Sequence, residues 1–439
     1  MNSGKSVTVI GGGIAGLSSA VFLAEKGCRV KLIESSPKLG GRAYSFYDQE
    51  KKMFFDNGQH ILAGWYENTF DFLKITGSFG LLDFQSALEI NFINENMQIF
   101  RLKCTDDDPP MNLVMGLLKF KALNFNDKFR LRNINKILKG EKDSLLKYDN
   151  AGELLRDLNQ TDNLMKYFWE PLILAVFNTK PLNVGTEVFI NVLKTGFGEK
   201  GNSNLVIPSV DLNALLINKT VEYFERKDVT VITGERVKQI DIGEKVNFII
   251  LENGEKIFSD YYISAVPFFS FARLFDEKIS GKFKFDPDSL KHSCIISVHI
   301  FLKEEIPEEM IPDNSLGMTG LTGTSVQWIF LRSRKHLSLV ISGADDIGLT
   351  DESPEKIFET CVNDLKKCIR DFDKIKISDY RVIKEKRATF IPSAESGRNR
   401  PGQRTEFENF FIAGDWTDTG LPSTIESAVK SSKIISDHI

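Results

Sequence analysis

Apolar and polar positions divide this chain into elements of two kinds. A run at residues 7–10 is short, apolar and closed by glycines, which predicts a buried strand. Apolar residues then recur at helical spacing over 14–24, and a second strand pattern over 29–33 ends on Glu34. Strand, helix and strand in this order predict a βαβ unit with parallel strands. The same alternation returns later: 211–226 reads as a helix, 229–233 as a strand, Asn253-Gly254 as the turn of a hairpin, and 260–267 as another strand. Near the end, 410–412 is a short apolar strand running into Gly414-Asp415, and a helical pattern follows Gly420 to the C-terminus.

Three glycines at the first strand-to-helix turn give this unit its chemistry. Gly11, Gly13 and Gly16 stand at G-x-G-x-x-G spacing: the first for the tight turn, the second for close approach of a pyrophosphate, the third for helix against strand. Ile14 and Ala15 open the helix, whose first N–H groups and positive dipole end suit phosphate oxygens. Glu34 can accept hydrogen bonds from ribose hydroxyls, and an acid there favours an unphosphorylated ribose, hence FAD or NAD over NADP. A secretory signal is the competing reading of this run after Lys5. It fails because the glycines hold a phosphate-loop register and the run continues through Glu25 and Lys26 into a strand. Gly40-Gly41-Arg42 follows closely, either an ordinary turn with a solvated arginine or one that returns a guanidinium to the pyrophosphate.

Composition narrows the class. At 439 residues the chain accommodates two domains, and with a net charge of −4 nothing in the overall balance suggests nucleic acid. Five cysteines form no C-x-x-C pair; Cys361 and Cys368 fall on one helical pattern as core residues, and a reducing, cytoplasmic compartment is expected. The five histidines lack ligand spacing, so no metal site is expected, and no further apolar run is long enough to span a bilayer.

Taken with the βαβ unit, residues 39–43 resemble the opening of the FAD-containing amine oxidase and phytoene desaturase superfamily, and residues 410–424 resemble its C-terminal segment. The resemblance implies an α/β fold: a Rossmann-type FAD-binding domain from 1–80, 205–275 and 390–439, with an inserted α+β substrate domain from 81–204 and 276–389. It also implies that Asp415, after Gly414, hydrogen-bonds the ribityl chain, and that Pro422, Ser423 and Thr424 begin a helix near the flavin pyrimidine ring. Residues 56–60, including Gly58 and Gln59, would face the isoalloxazine. Val237 would meet adenine through its backbone, although a valine there serves equally as core.

Longer stretches narrow the resemblance. Residues 55–66, 168–172 with Ala175, Asn178, Thr179 and Pro181, 205–208 with Asp211 and Leu212, 327–330, 387–390 and 414–420 resemble the hydroxysqualene dehydroxylase family over nearly the whole chain. Departures are Ser427, where the superfamily commonly has glycine, and Ser431-Ser432 in place of Ser-Gly. Membership would imply reduction of the allylic alcohol hydroxysqualene to squalene, in squalene and hopanoid biosynthesis. Reduced FAD would be the hydride donor, with an electron donor still to be identified. A general acid must then protonate the leaving oxygen. His60 is the candidate; the alternative is a hydrogen-bonded structural histidine. Aromatic faces could stabilise an allylic cation, but most of the 34 phenylalanines must be core.

An isoprenoid lipid substrate draws attention to 111–147, where Leu, Met, Phe and Ile alternate with Lys119, Lys121, Lys128, Arg130, Arg132, Lys136 and Lys139. Such stretches lie on anionic bilayers or form solvated helical faces, and the lipid substrate favours peripheral membrane contact. Two other functions compete with the dehydroxylase. One is an oxidative flavoenzyme of the same superfamily, a carotenoid-type desaturase or amine oxidase; the other is an FAD-stabilised binding protein without catalysis.

Overall fold

In the computed structural model, residues 4–139, 145–276, 279, 281–286, 289–312 and 316–439 are described. Five strands form a parallel sheet in the order Thr230–Thr233, Arg29–Glu34, Ser6–Ile10, Tyr261–Ser264, Phe410–Ile412. Both faces of this sheet are covered, which is why its central strands read as continuous apolar runs. On one face lie helices Ile14–Glu25 and Ile425–Ser436, joined through the hydroxyls of Ser18, Ser19 and Ser432. On the other lies an antiparallel meander, Val237–Ile242, Val246–Leu251 and Lys256–Ile257, its second turn made at Gly254 with φ +87°.

The helix Ile14–Glu25 can press onto its strand only because two positions lack a Cβ. A Cβ on Gly16 would stand 1.8 Å from the Gly11 carbonyl oxygen. One on Gly11, itself at φ +107°, would stand 2.8 Å from that of Ala265.

A second, seven-stranded sheet runs Ile377–Phe390, His292–Leu302, His336–Ile341, Trp328–Ser333, Met318–Thr322, Glu89–Asn94, Ile99–Lys103. Its pairs are antiparallel except Met318–Thr322 with Glu89–Asn94. One face packs on helix Pro354–Cys368, which buries Cys361 and Cys368. The opposite face carries Phe92, Trp328, Phe330 and Val340 toward Glu170–Phe177 and Thr186–Gly196.

The basic stretch is broken into short helices, Met111–Lys119, Phe125–Arg130 and Ile134–Lys139. Phe120 leaves the first helix in an extended conformation, and Asn124 starts the second with a capping box to Asp127. Residues 140–144 of that stretch lie outside the described residues.

Candidate active site

One cavity of about 920 Å³ joins the two sheets. Its first part follows the glycine turn: Gly11, Gly13, Ile14 and Ala15 line it, with Glu34, Gly41 and Arg42 opposite. Gly13 caps the helix without a side-chain partner, so the first-turn N–H groups face the cavity free to meet an anion. Gly41, at φ +61°, approaches so closely that a Cβ would stand 3.0 Å from the Gly13 Cα. Glu34 shapes the same turn, accepting from Gly12 N–H at 2.6 Å and Ser36 N–H at 2.7 Å. Val237 lines this end of the cavity, while Gly16 and Pro422 do not.

The middle is built by the C-terminal segment. Gly414, Asp415, Ser423 and Thr424 line it. Asp415 accepts from Arg42 through Oδ1 and from Ser423 through Oδ2, and Arg42 also donates to the Ala388 carbonyl at 2.8 Å. Arg42 thus lies on the cavity wall with its guanidinium already paired. Thr424 caps the last helix by accepting from Ser427 N–H, so another helix N-terminus points at the cavity. The serines that depart from the superfamily pattern fasten this region. Ser427 donates to the Asp415 carbonyl, Ser431 accepts from Gly414 N–H, and Ser432 donates to the Ala15 carbonyl.

Two residues that the sequence did not single out fasten the surroundings of this loop. Arg400 is half-buried, and its guanidinium donates to the carbonyls of Asp415, Trp416, Thr417 and Leu421 while lying over the Phe390 ring. Burial brings its pKa down to about 10, against Asp418 and Asp415. Glu426 accepts from the N–H and side chains of both Asn68 and Thr69, capping helix Glu67–Thr76; its burial pushes the carboxyl above the usual range. An arginine among polar loop residues reads as solvated, and its carbonyl partners lie 15 to 21 positions on.

Asn57, Gly58, Gln59 and His60 form the wall where this polar middle meets the apolar remainder. His60 is half-buried and lines the cavity. Burial holds its pKa below the ordinary imidazole value, Asp56 opposing and Arg42 adding to the effect. It forms no side-chain hydrogen bond with a described residue, leaving the ring nitrogens to whatever occupies the cavity. Tyr66 sits on the same wall, its phenol pushed up by burial and by Glu426. Beyond, the wall is aromatic and aliphatic, with Phe92, Tyr167, Phe168, Phe197, Trp328 and Phe330 among its residues. Among the described residues no group of side chains could hold a metal ion.

The chain belongs to the flavin containing amine oxidoreductase family, whose pattern matches residues 14–439. It is 26% identical to the hydroxysqualene dehydroxylase of Zymomonas mobilis over 98% of both chains. It is 24% identical to the 15-cis-phytoene desaturase of Narcissus pseudonarcissus over 99% of this chain and 79% of the relative. In fold it is similar to putrescine oxidase, with a TM-score of 0.72 at 12% identity over 99% and 98% of the two chains. The protein is therefore an FAD-dependent oxidoreductase with the FAD amine oxidase and desaturase fold. The residues present fit that cofactor: a glycine turn cleared of Cβ atoms, unpaired helix N–H groups for the pyrophosphate, and acids at both ends of the polar part.

Proposed function

We propose that this protein reduces hydroxysqualene to squalene. The observation that carries the reading is a single cavity whose polar part suits FAD and whose apolar, aromatic part continues from it without a break. The full-length likeness to hydroxysqualene dehydroxylases supports it. Bound FAD, once reduced, supplies the hydride. The chain's own residues exclude water from the apolar part, present ring faces to a carbon that becomes positive, and protonate the leaving oxygen. His60 is the proposed acid. Because its resting form is neutral, it must gain a proton before each turnover, with Asp56 as the group that favours the charged form. Glu34, Arg42, Asp415, Ser423, Thr424 and the backbone at Gly11, Gly13, Ile14, Ala15, Gly41 and Gly414 are proposed to hold the cofactor, with Gly58 and Gln59 beside its ring and Val237 at its adenine.

The oxidative alternative draws on the likeness to phytoene desaturases, which also runs through this whole chain. Titration of the FAD-loaded protein with squalene tests occupancy. Saturable perturbation of the flavin absorbance by squalene, and none by putrescine, is the expected result. The reverse order would overturn the lipid reading in favour of an amine.

A peripheral membrane contact belongs to the same proposal. Phe125 is 86% exposed, with Met111, Leu118 and Phe129 exposed near it and Lys119, Lys121, Lys128 and Arg132 interspersed. Leu113, Leu117 and Phe120, on the inner side of these helices, belong to the apolar cluster that includes Phe168, Trp328 and Phe330 of the cavity wall. No helix among the described residues is long and apolar enough to cross a bilayer.

A further inference from the structure

Behind the wall at residues 55–60, the seven-stranded sheet gathers polar groups that have no protein partner. Ser297 and His299 stand two apart on strand His292–Leu302, His336 and Ser338 two apart on His336–Ile341, and His299 is paired with Ser338 across the strands. Alternation puts all four on one face. Each is at most 5% exposed. His299 Nδ1 and His336 Nε2 lie 2.9 Å apart in a hydrogen bond. The outer nitrogens, His299 Nε2 and His336 Nδ1, and the hydroxyls of Ser297 and Ser338 find no partner among the described residues. Folded interiors satisfy nearly all such atoms, if not with protein then with ordered water. Here four orphans share one patch.

The cover of the patch is the stretch that continues into the cavity wall. The Phe55 ring lies 5.2 Å from the His299 ring and 5.6 Å from that of His336, and Phe301 stacks on His336 at 4.5 Å. Gly58 lies over Ser297, where a Cβ would stand 3.7 Å from its Oγ. Arg332 is exposed, acts on both imidazoles, and reaches Gln59 at 3.5 Å. Arg381 also faces His299 but is bound to Asp48. The Asp56 carboxylate is taken by Ser45 and Leu212 N–H, while its backbone carbonyl acts on His299 without closing a hydrogen bond. The patch therefore runs from solvent beside Arg332 to the back of the wall.

We propose that Ser297, Ser338 and the outer nitrogens of His299 and His336 hold internal water, and that this water and the imidazole pair carry protons between solvent and residues 56–60. Two neutral imidazoles sharing one central hydrogen bond have one bare outer nitrogen and one outer N–H. A proton accepted at the bare end moves across the central bond and is released at the other. One proton enters, one leaves, and the two tautomers are exchanged. Such a supply is needed wherever FAD is reduced by single electrons, because FAD, two electrons and one proton give FADH−, whereas a hydride donor brings its own hydrogen.

The test uses FAD-loaded protein reduced by reduced methyl viologen, where two donors, FAD and one proton give two oxidised viologens and FADH−. Proton uptake is followed with a pH dye in wild type, His336→Phe and Ser297→Ala. Both variants should keep the FAD dissociation constant. Uptake should slow by about tenfold or more in His336→Phe, the scale of a lost proton-transfer group, and measurably in Ser297→Ala, which removes only an atom with no protein partner and keeps the test valid if the phenylalanine variant fails to fold. A crystal structure should contain water hydrogen-bonded to Ser297 and to an outer imidazole nitrogen. Uptake at the wild-type rate in the folded variants, or a dry patch in the crystal, would overturn the proposal.

Discussion

Glu34 has two duties, and they separate experimentally. It lines the cofactor end of the cavity, and it fixes the glycine turn by accepting from Gly12 and Ser36. A charge-assisted hydrogen bond contributes about 1.5–3 kcal/mol, or one to two decades in affinity. Glu34→Ala is expected to purify largely without FAD and to recover turnover when FAD is added in excess. An unchanged FAD dissociation constant by fluorescence titration would remove Glu34 from the site. His60 gives a pH signature. Its pKa is depressed by burial, so the acid form is scarce at neutral pH, and kcat/KM should rise as pH falls through and below the usual imidazole range. His60→Ala should lose about a hundredfold or more and lose that pH dependence. A structural role would lower stability and leave the surviving rate intact.

The buried histidines set acid stability. His299 is held down to about 3 and His336 to about 4 by burial, with Arg332 adding to both. Unfolded histidine titrates near 6.5, so below that pH the unfolded chain binds protons that the folded chain refuses. Stability is then whole above about pH 6.5 and falls as pH drops toward 4, by up to roughly 1.4 kcal/mol per pH unit for each histidine. Chemical denaturation at stepped pH should give a shallower fall in His299→Phe/His336→Phe, and an unchanged slope would contradict the assignment.

Local elements were legible where period and punctuation agreed. The strand Ser6–Ile10 with its turn at Gly11, the strand Arg29–Glu34 after the turn at Gly27, and the hairpin at Gly254 all follow from apolar runs bordered by glycines that take a positive φ. Winding was less legible: Asn213–Asn218 is π-wound within a stretch that reads as ordinary helix, and nothing in its spacing distinguishes the two. The break at Phe120 divides a stretch that composition alone joins, although Asn124 and Asp127 carry the signal of a new helix start. Arg400 was missed because its role exists only through the loop it reaches. Arg400→Lys keeps the charge but cannot serve four carbonyls in one plane. It should weaken FAD binding by about tenfold, for the loss of roughly one net hydrogen bond to a charged group. Wild-type affinity in that variant would show that the loop holds its shape unaided.

At the scale of the whole molecule, long-range pairing hid what sequence could not supply. Strand Met318–Thr322 pairs with Glu89–Asn94, and Ile377–Phe390 with His292–Leu302; these joins build the apolar half of the cavity from segments far apart in the chain. His299 and His336 meet for the same reason. The exposed Phe125 and Phe129 give the surface proposal a direct check: wild type should sediment with phosphatidylserine-rich vesicles at low salt, and Phe125→Ser/Phe129→Ser should lose most of that binding. Equal binding of both to such vesicles would place the contact elsewhere.

The direction of electron flow decides the central proposal. Photoreduced protein mixed anaerobically with hydroxysqualene should regain the oxidised flavin spectrum while squalene appears in equal amount, and oxidised protein should stay yellow with squalene or phytoene. Bleaching of the oxidised protein by phytoene or by an amine, with no squalene formed from hydroxysqualene, would contradict the dehydroxylase and establish an oxidative enzyme in its place.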